Sequence, residues 1–70
     1  MEPKDEWIDQ LSEAEQKLES AYETLAALYE SLRDAGRKKD FQAIGEAMER
    51  LARYGRLFQD MRETWSSEEE

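Results

Sequence analysis

The segment Asp34-Ala35-Gly36-Arg37-Lys38-Lys39-Asp40 divides a 70-residue chain into two halves. Gly36 stands where a helix ends on a left-handed residue, and Arg33 lies in the turn before it, where the helix dipole favours a cation. Asp40 reads as the N-cap of the following helix, its carboxylate placed to accept a backbone N–H. The first helix is expected to start between Pro3, suited to the first helical position, and Asp5, suited to an N-cap. A short loop between long helices makes them antiparallel neighbours. The expectation is a single all-α domain over residues 1–70, an antiparallel two-helix hairpin. It comprises a helix of about 4–35, a turn of 36–40, a helix of about 41–65 and a disordered acidic tail of 66–70.

Heptad periodicity supports both helices. In the first, Leu11, Leu18, Leu25 and Leu32 occupy a positions, while Trp7, Ala14, Ala21, Leu28 and Ala35 occupy d. Ile8, Tyr22 and Tyr29 widen the stripe at e, interrupted by Glu15. In the second, a is Ile44, Leu51, Phe58 and Trp65; d is Ala47, Tyr54 and Met61; e is Phe41, Met48, Gly55 and Arg62. This is the broad stripe of a bundle helix rather than a thin coiled-coil seam. If the chain reverses at Lys38, Leu11 faces Trp65, Leu18 faces Phe58, Leu25 faces Leu51 and Leu32 faces Ile44. In that register the d residues Ala14, Ala21 and Leu28 face Met61, Tyr54 and Ala47, small against large. Glu15 then meets Arg62 as an ion pair, and Tyr22 packs on Gly55.

One hairpin seam cannot cover a three-position stripe. The surplus apolar residues Tyr22, Leu25, Tyr29, Phe41 and Met48 are the expected oligomer interface, and a homodimeric four-helix bundle is the expected remedy. Composition points the same way. A core in a chain this small supplies at most ~3–5 kcal/mol, so such chains lean on a disulfide, a metal or a second copy. Cysteine and histidine are both absent, which removes disulfides, thiolate sites and imidazole ligands.

Eighteen acids against ten bases, a net charge of −8, argue against nucleic acid or an anionic membrane as direct partner. There is no signal-peptide pattern and no apolar run of spanning length, so a cytoplasmic location is expected. The charge is unevenly spread: residues 1–35 carry −7, residues 36–40 carry +2, residues 41–65 balance, and the tail adds −3. The first helix holds an acidic face on which Glu6, Asp9, Glu13, Glu23 and Glu30 are candidate contacts for a basic partner protein.

Chemistry-bearing motifs are sparse. Glu46 with Glu49, and Asp60 with Glu63, repeat the i, i+3 carboxylate spacing and so resemble the magnesium-binding pairs of all-α nucleotide pyrophosphohydrolases. They fall at outer c and f positions, with no phosphate-binding constellation beside them. The serines lack a histidine base, and Gly36, Gly45 and Gly55 are isolated rather than loop-forming. No catalytic residue, metal or cofactor is expected. The functional expectation is a small acidic interaction module (adaptor, regulator or inhibitor) working as a helical-bundle homodimer. The alternative is an acidic inhibitor that imitates nucleic acid to block a basic nucleic-acid-binding protein or nuclease; a distant alternative is a magnesium-dependent enzyme similar to the all-α nucleotide pyrophosphohydrolases. In size and charge the chain resembles the small acidic phage proteins that act as such inhibitors. Its charge density is the lower: about one per 6 Å of helix, against ~1.7 Å in duplex DNA.

Overall fold

A computed structural model describes residues 3–68, which form two helices packed against each other: α1, Lys4–Asp34, and α2, Lys38–Ser67. No strand occurs among the described residues. The hairpin is a rod with Cα extents of 54 × 14 × 12 Å.

A Schellman closure ends α1. Gly36 takes φ +74°; its N–H donates to the Arg33 carbonyl at 3.0 Å, and the Arg37 N–H donates to the Leu32 carbonyl at 3.0 Å. These two bonds satisfy carbonyls that the last turn leaves free. The chain then re-enters a helix at once. Arg37, not Asp40, is the N-cap residue of α2, and its carbonyl accepts the first helical bond from Phe41 N–H. Asp40 lies inside the first turn of α2, where its negative charge favours the helix N-terminus, and it binds the Arg37 guanidinium at 2.7 Å. At the other end of α1, Pro3 is the N-cap and Asp5 lies within the first turn. The helix of the second half also runs longer than expected, through Ser66 and Ser67; the Ser67 hydroxyl donates to the Glu63 carbonyl at 3.0 Å. Of the rest of the expected tail, Glu68 is the C-cap of α2, and Glu69 and Glu70 lie outside the described residues.

The tighter turn changes how the helices face each other. Contacts across the hairpin centre on average between Gly36 and Arg37 rather than on Lys38: Tyr29 with Phe41 on Ala35, Lys4 with Glu68 and Trp7 with Trp65 on Gly36, Tyr29 with Gly45 on Arg37, and Glu15 with Arg62, paired as expected, between Lys38 and Lys39. Each a position therefore comes level with an e position of the other helix. The half-buried seam follows: Ile8, Leu11, Leu18, Leu25, Tyr29 and Leu32 of α1 against Phe41, Ile44, Met48, Leu51 and Phe58 of α2. The d layer is divided: Ala14, Ala47 and Met61 are half-buried, whereas Leu28 and Tyr54 are 42% and 48% exposed.

Aromatic pairs brace both ends. Trp7 and Trp65 meet at 6.1 Å between ring centroids near the open end, and Tyr29 meets Phe41 edge-on at 5.4 Å near the turn. Such pairs add about 0.5–1.5 kcal/mol beyond their buried area. Gly45 is accounted for by Tyr29, whose Cε2 lies 3.4 Å from where a Cβ would stand. Gly55 has open space around its Cα, so Tyr22 does not pack on it.

Gly36→Ala is expected to destabilise the hairpin by about 1–2 kcal/mol, because a Cβ is disfavoured at positive φ. Gly55→Ala is expected to stabilise it by about 1 kcal/mol, because helix propensity improves and nothing is displaced. Urea unfolding followed by circular dichroism checks both signs.

Candidate interaction surfaces

Helical geometry gives the rod two flanks, one at e and b positions and one at d and g. Glu15 and Arg62, both at e, join across the first flank: Arg62 Nε donates to Glu15 Oε2 at 2.7 Å and Nη2 to Oε1 at 3.2 Å. The carboxylate is 20% exposed and the guanidinium 34%. A two-point bond of this kind fixes orientation as well as charge. It holds Arg62 above the usual arginine range, first through the hydrogen bond and then through the charge of Glu15, against a smaller opposing effect of burial.

The same flank carries two open grooves. One, of about 480 Å³, lies over Tyr22, Tyr29, Gly45, Met48 and Ala52, with Arg53 and Arg56 at its rim. The other, of about 550 Å³, lies over Leu18, Tyr22, Leu51, Ala52 and Gly55, with Glu15, Glu19 and Glu23 around it. Small residues make these grooves: Gly45, Ala52 and Gly55 leave room that larger side chains would fill.

Of the expected oligomer residues, Leu25, Tyr29, Phe41 and Met48 are half-buried within the hairpin, and Tyr22 is 40% exposed. The other exposed large apolar residues are Trp7, Leu28, Tyr54 and Leu57. All four sit at d or g positions, on the flank opposite Tyr22. Their positions within the heptad are visible in the sequence, but their exposure depends on the register set at Gly36.

The acidic candidates Glu6, Asp9, Glu13, Glu23 and Glu30 all lie exposed on α1. Two of them are partly neutralised along the helix: Lys17 lies 3.6 Å from Glu13 and Arg33 2.8 Å from Glu30. Glu46, Glu49, Asp60 and Glu63 are exposed, and among the described residues no group of three or more carboxylates is placed to hold a metal ion. No described helix is long and apolar enough to cross a membrane.

The Arg62 shift fixes the pH behaviour of its ion pair. A base whose folded value is raised contributes stability fully below its unfolded value and loses it only as pH rises through the folded one. For arginine that window lies in strong alkali, so this contribution is flat from pH 6 to 9. Glu15→Gln and Arg62→Gln should each lower the thermal midpoint, and the double variant should fall by less than the two together, as a double-mutant cycle would read. Comparison with protein-family models, curated proteins and solved structures finds no match for this chain.

Proposed function

We propose that the chain is a non-enzymatic protein–protein interaction module, an adaptor, regulator or inhibitor of the cytoplasm, that works as a homodimeric four-helix bundle. The observation that carries this reading is the lack of a core: no described residue, apolar or polar, is buried. Accessible surface is 5586 Å² for 8.3 kDa. A folded monomer of that mass typically exposes about 4,600 Å², so this rod carries a surplus of about 1,000 Å². Two copies hiding that surplus from each other would bury about 2,000 Å² in total, the size at which specific protein interfaces pass into obligate homodimers. The four exposed large apolar residues on one flank supply the material for such an interface.

The alternative, an acidic mimic that blocks a basic nucleic-acid-binding protein, draws support from Glu6, Asp9 and Glu23, which are exposed and form no ion pair among the described residues. Internal pairing of Glu13 and Glu30 thins that field further, and the interaction module remains the better reading.

Sedimentation equilibrium tests the dimer: twice the chain mass at micromolar concentration is expected, and a monomer at high concentration would overturn it. For a captured partner, indifference to salt between 50 and 300 mM supports apolar contacts. Collapse of binding across that range favours mimicry, because exposed charge pairs are screened over about 8–10 Å at physiological ionic strength.

A further inference from the structure

The chain has eighteen carboxylates, yet the d and g positions of α1 and α2 together carry a single one, Asp40. All the others of the two helices fall at b, c, e or f. This acid-poor flank is also the one that exposes Trp7, Leu28, Tyr54 and Leu57. A solvated face of a chain at −8 has no physical reason to exclude carboxylates, whereas a face desolvated by a partner does, because burying an unpaired charge costs several kcal/mol.

We propose that a second copy of the chain covers this flank, and that the two hairpins lie antiparallel, each basic turn beside the open end of its mate. The proposal rests on the dimeric reading above and specifies its surface and orientation. A twofold axis across the rods brings α1 onto α1 and α2 onto α2 of the second copy. On α1, positions equidistant from Ala21 then meet: Trp7 with Ala35, Ala14 with Leu28, and Ala21 with itself. On α2, Ala52 is level with Ala21, so Leu57 meets Ala47, Met61 meets Ala43, and Tyr54 lies against Arg50, whose cation suits the ring face. The lone carboxylate Asp40 comes opposite the Thr64 hydroxyl. Large residues meet small ones in the other apolar layers, and the two Ala21 residues let the helices approach closely at the axis.

A parallel dimer, turn beside turn, also matches large to small on this flank, since Ala14 then meets Leu57 and Leu28 meets Ala47. End charges decide between them. The open end holds Asp5, Glu6, Asp9, Asp60, Glu63 and Glu68 against Lys4 and Arg62, a net of −4, while residues 36–40 carry +2. A parallel dimer sets two acidic ends together. The antiparallel one separates them along a rod of 54 Å, far beyond the screening length, and puts opposite charges side by side.

The absence of cysteine makes the test clean. A disulfide needs Cα atoms within about 7 Å, so oxidised single-cysteine variants read contacts between copies. Ala21→Cys is expected to shift from the monomer to the covalent dimer band on a non-reducing gel, and Tyr22→Cys, on the opposite flank, to stay monomeric. Capture by Tyr22→Cys without Ala21→Cys overturns the flank. A mixed disulfide between Ala14→Cys and Leu57→Cys chains, without self-capture of Ala21→Cys, overturns the orientation. In either case sedimentation still reports a dimer, so the oligomeric reading survives; a sedimenting monomer removes both. Leu57→Glu gives an independent readout, with the dimer expected to dissociate at concentrations where the parent chain remains dimeric. A persistent Leu57→Glu dimer overturns the assignment of this flank.

Discussion

The left-handed turn at Gly36 is the constraint on which the rest of the hairpin depends. Two backbone hydrogen bonds close α1 and leave only Ala35, Gly36 and Arg37 between the helices. With no slack in the connection, the point of reversal is fixed, and with it which residue of α1 lies level with which residue of α2. The seam, the two flanks and the exposure of Leu28 and Tyr54 are all consequences of that point. A longer loop would let the leucine series meet face to face, and the same residues would then divide differently between inside and outside.

Much of the fold was legible in the sequence because its signals are local or periodic. Gly36 marked the break, the heptads marked two helices, and the charges at Glu15 and Arg62 found each other from spacing alone. The facing register was legible only in part: Glu15 meets Arg62 as the heptads require, while the contacts at the open end centre two residues earlier, on Gly36. Asp40 is a strong N-cap residue by preference, but Arg37 holds its carboxylate inside the first turn, and nothing local distinguishes the two arrangements. That local ambiguity carried forward: Leu28 and Tyr54, expected inside, lie exposed, while Tyr29, Phe41 and Met48, expected as surplus, fill the seam. The acidic face of α1 was visible from charge position because c and f positions point away from the second helix in either register.

Aromatic contacts brace the two ends of the single rod. The Tyr29–Phe41 contact sits beside the turn, and the Trp7–Trp65 contact, with the 3.0 Å Lys4–Glu68 ion pair, sits where the helices would otherwise splay. Between them the helices touch through half-buried apolar residues and the Glu15–Arg62 ion pair, and small side chains leave grooves on one flank. The middle of the rod thus gains most from a second set of side chains, and it is there that Tyr54 and Leu57 are exposed.

Both tryptophans of the chain are spent on one contact at the open end. Their emission therefore reports the state of that end, its closure and the covering of Trp7, not whether the helices persist. Fraying from the termini would quench or shift the signal while circular dichroism at 222 nm scarcely changed. Coincidence of the two signals during unfolding is then a direct measure of whether the rod melts as one unit or opens from the end away from the turn.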